Sequence, residues 1–169
     1  MAWEQVCAQL NLQQYIYSLA VYNERLYGGT AVNGRLFRLN TAGNAWEQVC
    51  SMLGGQTYIY SLAEYDGRLY AGTGTGGRLF RLNVAGDAWE QVCAELNSQA
   101  HIISLAEYDG RLYAGTGTNG RLFRLNVAGD AWEQVCATLY GQQYIYSLIE
   151  YDGRLYAGTY PNGYLFRLN

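Results

Sequence analysis

The sequence contains no lysine, one proline, one histidine and two methionines in 169 residues. No uninterrupted apolar run approaches the ~18 residues of a membrane-spanning helix. The opening Met1-Ala2-Trp3-Glu4-Gln5 has neither the cationic start nor the apolar run of a secretory signal. All 11 cationic side chains are arginines, set against 14 acids for a net charge of −3. That balance provides no basic stripe for a phosphate backbone and no polybasic patch for an anionic lipid surface, so neither nucleic acid nor membrane is an expected partner. The scarcity of proline excludes collagen. Apolar residues do not recur with helical spacing over about ten positions behind a capped start, so almost no helix is expected. What the chain has instead is 17 Tyr, 4 Trp and 4 Phe beside 21 Gly, with half of its residues apolar, enough for one domain with a sizeable core.

The dominant pattern is repetition. Trp-Glu-Gln-Val-Cys occurs at Trp3 to Cys7, Trp46 to Cys50, Trp89 to Cys93 and Trp132 to Cys136, so successive tryptophans stand 43 residues apart. Ser18, Ser61, Ser104 and Ser147 keep the same step, as do Phe37, Phe80, Phe123 and Phe166. A period of this length marks one supersecondary unit that needs its neighbours to bury a face.

Within the second copy, Tyr58 to Tyr65 and Arg68 to Thr73 flank Asp66-Gly67, the signature of a two-residue hairpin. A Gly/Thr turn leads to Arg78 to Asn83, and Val84 to Asp87 turns into Ala88 to Cys93. Four short antiparallel strands per copy, repeated about an axis, are the blades of a β-propeller. The expected fold is all-β: a single domain over 1–169 with blades at 15–50, 58–93, 101–136 and 144–169. Residues 3–7 are expected to pair with the last blade as its outer strand and close the ring. Closure within one chain gains effective concentration, so a four-bladed monomer is the expectation, with an eight-bladed ring of two chains as the alternative.

Ser61 to Thr73 followed by Gly76 to Asn83 resembles the blade consensus of two-component-regulator propellers, and Gly86-Asp87-Ala88-Trp89 resembles the end of an Asp-box turn. The resemblance covers all four copies. Val84, Val127 and Thr41 occupy the position of the box's aspartate. It implies a recognition or sensory domain and transfers no catalytic residue.

Differences between the copies point to one face. The turns Tyr65-Asp-Gly-Arg68 and Val84-Ala-Gly-Asp87 barely change from copy to copy, whereas the loop entering each first strand and the turn after each second strand vary. Alternating strand direction places these two variable connections on the same side of the disc, where loops on a rigid scaffold carry recognition. The candidate binding residues there are Gln14, Tyr15, Gln56, Tyr58, Gln99, His101, Tyr140, Gln143, Tyr144 and Tyr160. Tyrosine supplies contact area and a hydroxyl at low rotamer cost and glutamine supplies donors and acceptors, which suits a glycan, a peptide or another protein.

Other chemistry is thin. One cysteine per copy, at matched positions around a ring, cannot meet a second for a disulfide or gather for a metal. Free thiols point to a reducing, cytoplasmic setting. Glu64, Glu107 and Glu150 fall at the ends of first strands and read as solvated ends, too few for an oxygen-ligated cation. Gly72 to Gly77 leads into a strand, so no helix N-terminus awaits a phosphate. His101 has no unique nucleophile or carboxylate beside it in sequence, and a near-fourfold chain offers one role four times rather than several roles once. No cofactor and no catalysis are expected. Glu90 on the fourth strand is expected to pair with one of the third-strand arginines, Arg78 or Arg81. The alternatives are a recently amplified or engineered repeat without a ligand, and, more remotely, a sialidase-like hydrolase.

Overall fold

The computed structural model describes residues 1–10, 12–50, 52–96 and 99–169. Blade one holds β1 (Ile16–Tyr22), β2 (Arg25–Thr30), β3 (Leu36–Leu39) and β4 (Trp46–Cys50). Blade two holds β5 (Ile59–Tyr65), β6 (Arg68–Thr73), β7 (Leu79–Leu82) and β8 (Trp89–Gln91). Blade three holds β9 (His101–Tyr108), β10 (Arg111–Gly117), β11 (Leu122–Leu125) and β12 (Trp132–Cys136). The fourth holds β13 (Tyr144–Tyr151), β14 (Arg154–Tyr160) and β15 (Leu165–Arg167). All pairing is antiparallel, and the described residues contain no helix. A single bridge between Gly117 at the end of β10 and Tyr144 at the start of β13 joins the third and fourth sheets.

The hairpins form where the turn chemistry demands. Asp66 and Gly67 take φ of 48° and 64°, the two positive values of a type I′ turn, and Asp109-Gly110 and Asp152-Gly153 do the same. The third-to-fourth turn is held by a side chain: Asn83 Oδ1 accepts from the backbone N–H groups of Asp87 and Ala88, and Asn83 Nδ2 donates to Asp87 Oδ1 at 2.9 Å. Asn40 and Asn126 repeat this arrangement, which is why these turns barely vary. Across each hairpin, Arg81 and Arg68 share Glu90 at 3.0 and 3.6 Å, in line with the cross-strand pairing read from the sequence.

The core lies between blades. Tyr27, Leu36, Cys50 and Leu53 meet Ile59, Leu62, Leu69 and Ala71 of the next copy, and the same set recurs at the following junction. Each blade is one layer, and its neighbour supplies the second layer that a sheet needs.

One expectation is not met. Residues 3–7 form no strand and do not pair with β15, and Trp3 and Val6 are exposed. β1 packs on β5, β5 on β9 and β9 on β13, with no comparable packing of β13 back on β1. The turn between successive blades is set by the side chains wedged between them, and in this chain three such steps leave the array open.

Candidate functional site

The first strands pack one on the next, and each carries a bulge near its N-terminal start. Register shifts between Ile16 and Ser18, between Ile59 and Ser61, and between Ile145 and Ser147, with a matching shift opposite Ile102 and Ser104. The extra residues are Tyr17, Tyr60, Ile103 and Tyr146. Bulges re-aim side chains beside functional sites, and here the four line one cavity of about 410 Å³ on the axis, together with His101 and Tyr144.

The walls are built from stacked aromatic pairs. Tyr58 lies on Tyr60 with ring centres 5.2 Å apart and planes 9° from parallel, and Tyr144 lies on Tyr146 at 5.3 Å and 12°. Tyr17 meets Tyr60 edge-on at 5.2 Å, and Tyr60 meets His101 edge-on at 5.5 Å. Tyr160 closes the far side against Tyr144 and Tyr146. Removal from water pushes the Tyr60 phenol above its ordinary range, and the neighbouring phenols Tyr17, Tyr58, Tyr146 and Tyr144 add to this. Burial alone pushes the His101 imidazole below its ordinary value, favouring the neutral ring. Its Nδ1 is buried without a hydrogen-bond partner among the described residues. The cavity thus presents apolar ring faces, phenol hydroxyls and one neutral imidazole, and its lining holds no carboxylate, thiol or guanidinium.

The cavity opens among the variable loops. Gly34, Gly77 and Gly120 N–H donate to the carbonyls of Thr57, Ala100 and Gln143 at 2.9, 3.0 and 2.8 Å, tying the turn after each second strand to the loop entering the next blade. The two variable connections therefore do share one side.

Of the sequence candidates, Tyr58, His101, Tyr144 and Tyr160 come together around the axis, with Tyr15 stacked on Tyr17 at its rim. Gln14 and Gln143 are exposed on the loops. Tyr140 stands apart, stacked on Phe166 at 5.9 Å. Gln56 and Gln99 are not surface groups: each is 2% exposed, and the Gln99 side-chain carbonyl accepts from the Thr116 hydroxyl at 2.8 Å. They tuck beneath the loop because the Gln56 and Gln99 N–H groups turn back to the carbonyls of Leu53 and Leu96. Asn97 and Ser98, between Leu96 and Gln99, lie outside the described residues. Tyr17, Tyr60 and Tyr146 were missed. The signal that marks them is two-residue alternation, which places each on the same side of its strand as Tyr15, Tyr58 or Tyr144.

On the opposite side, Glu107 and Glu150 line a shallow cleft with Asp109, and Glu150 Oε1 accepts from Gly153 N–H at 2.7 Å. No group of three or more metal-ligating side chains occurs among the described residues.

No protein-family profile and no curated protein match the chain. Its likeness is to solved structures. The computationally designed Ika4 protein aligns over 99% of this chain and 98% of its own, at 16% identity and TM-score 0.67. The extracellular domain assigned to a hybrid two-component system of Bacteroides thetaiotaomicron aligns over 98% of this chain, at 20% identity and TM-score 0.72. A catalytically inactive virginiamycin B lyase from Staphylococcus aureus, with quinupristin, aligns over 95%, at 13% identity and TM-score 0.70. This chain spans 22% of the length of the Bacteroides protein and 57% of the lyase. At these identities what is shared is the fold, a propeller-like array of antiparallel four-stranded sheets.

Proposed function

We propose that this chain is a non-catalytic binding propeller whose axial aromatic cup, at the variable-loop face, seats an uncharged ligand with flat apolar faces, a glycan before a peptide or protein surface. The observation that carries this reading is the gathering of Tyr17, Tyr60, His101, Ile103, Tyr144 and Tyr146 around one cavity, with Tyr58 stacked behind Tyr60. Aromatic faces stack on the apolar faces of sugar rings while phenols and an imidazole meet hydroxyls, at little entropic cost because the rings are already held against one another. An ionic ligand is disfavoured, since the lining offers no counter-charge. Catalysis by paired acid and base is disfavoured for the same reason, because His101 has no carboxylate or nucleophile beside it in the cup. The extracellular-domain neighbour accords with a recognition role and the lyase neighbour does not, and neither carries a residue across at these identities.

The test is a neutral-glycan array probed in parallel with a peptide library, using the chain itself and the Tyr60→Ala and His101→Ala variants. The expected result is a set of neutral-glycan signals that both variants lose while their melting stays cooperative. A blank array, or signals indifferent to both substitutions, contradicts the reading and favours a repeat that serves only as structure.

A further inference from the structure

The two end faces of this open array lack the contacts that each inner junction makes. At the three inner junctions, a Cβ on Gly29, Gly72 or Gly115 would stand 2.5 Å from the side chain of Ile59, Ile102 or Ile145 on the next blade, so each isoleucine packs directly on a bare backbone. Ser61 and Ser104 hydroxyls donate across to the carbonyls of Ile102 and Ile145 at 3.4 and 2.8 Å. Tyr65 and Tyr108 hydroxyls donate to the carbonyls of Gly110 and Gly153 at 3.3 Å.

Each contact has a leading and a trailing half, and the ends hold one half each. On the last blade, among the described residues, a Cβ on Gly158 would meet only the blade's own Ser147, a Cβ on Gly163 would meet nothing within 4 Å, and Tyr151 is 69% exposed. On the first blade, Ile16 is 45% exposed, where its three counterparts are each 0% exposed.

The N-terminal segment is already shaped for the same role. Gln5 Nε2 donates to the Cys7 carbonyl at 2.9 Å, as Gln91 Nε2 does to Cys93. Gln13 N–H donates to the Leu10 carbonyl at 3.0 Å, as Gln56 does to Leu53. This segment stands off blade one across an apolar cleft of about 430 Å³ bordered by Val6, Cys7, Leu10, Ile16, Leu19 and Trp46. The cleft lies where the inner strands of a preceding blade belong. Glu4 is the counterpart of Glu47, Glu90 and Glu133, each held between two arginines, while Arg154 and Arg167 on the last blade are exposed.

We propose that two copies of this chain seat end face on end face as one eight-bladed ring on a twofold axis, residues 3–7 of each supplying the outer strand beside Leu165–Arg167 of the other. A repeated head-to-tail contact closes when its rotations complete a turn, and an array of four that stays open closes with a second four inside the known range of blade numbers. A second copy in such a ring brings another Tyr17, Tyr60, His101 and Tyr146 around the same axis.

Sedimentation of the 169-residue chain from low to high micromolar concentration tests this. The expected particle has twice the 18.9 kDa chain mass, and Ile16→Asp and Leu165→Asp each return it to the single-chain mass with the β-sheet circular dichroism retained. Ser147→Ala, which removes a hydroxyl with no hydrogen-bond partner among the described residues, is expected to keep the fold and loosen the dimer about fivefold. A single-chain mass at every concentration, assemblies growing beyond two chains, a dimer surviving both aspartates, or a dissociation constant unchanged by Ser147→Ala each overturns the proposal.

Discussion

Blades one and two carry nearly the same residues and live in different surroundings. Ile59 and Leu62 of blade two are 0% and 8% exposed, whereas Ile16 and Leu19, at the same positions of blade one, are 45% and 56% exposed. The isoleucine is the same and the strand geometry is the same. What differs is whether a glycine-faced sheet lies opposite. In a stacked repeat, burial belongs to the junction rather than to the residue, so stability is a sum over junctions.

The sharpest way to break the comparison is to truncate the same side chain in both settings. Ile102→Ala is expected to lower unfolding stability by about 2–5 kcal/mol, as for other fully buried isoleucines. Ile16→Ala, measured by urea unfolding in dilute solution, is expected to cost less than about 1 kcal/mol. Equal costs would mean that the end face is sealed within the chain.

Glycine probes the other side of each junction. Gly72→Ala would drive a methyl group into Ile102 and is expected to cost about 1–3 kcal/mol. Gly158→Ala meets only the movable Ser147 hydroxyl and is expected to cost less, again by urea unfolding in dilute solution.

Alkaline pH separates the inner junctions from the ends. Burial pushes the Cys50 and Cys93 thiols up from 9.0 to about 12. Both pKa values are raised by folding, so the stability these thiols contribute is intact below pH 9 and lost as pH climbs toward 12. The decline is expected to be at most about 1.4 kcal/mol per pH unit for each thiol. Replacing Cys50 with alanine should flatten the slope of urea midpoint against pH, and an unchanged slope would place the thiol in water.

The smallest effect has the opposite sign. Glu24 occupies the second turn position of blade one at φ 58°, where the other three copies have glycine at 64° to 68°. Glu24→Gly is expected to raise stability by about 1 kcal/mol, seen as a higher melting temperature.

The blades were legible in the sequence because each local signal agrees with the global repeat. Asp-Gly marked the hairpins, and the near-constancy of Val84 to Asp87 marked a turn that the structure shows locked by the Asn83 side chain. Two of the four glutamines expected at the surface, Gln56 and Gln99, are buried for an instructive reason, while Gln14 and Gln143 are exposed. Gln13, Gln56, Gln99 and Gln142 recur at every step of a loop in which, besides them, Leu10, Leu53, Leu96 and Leu139 also recur, and such constancy signals an internal anchor; all four glutamines are buried. The bulge that collects Tyr17, Tyr60 and Tyr146 depends on strand pairing, which one sequence shows only as alternation. The close seating of Ile59, Ile102 and Ile145 on Gly29, Gly72 and Gly115 was illegible, since it joins residues of different copies that no local pattern links.

The most direct test is hydrogen exchange followed peptide by peptide, comparing 16–22 with 59–65 in the same sample. Local opening is easier where few apolar contacts hold a strand, so in dilute solution 16–22 should exchange much faster than 59–65. That difference should shrink as concentration rises and a second copy covers the end face. Matched protection of the two segments at every concentration would contradict the claim that a neighbouring blade, and nothing within the blade itself, seals each sheet.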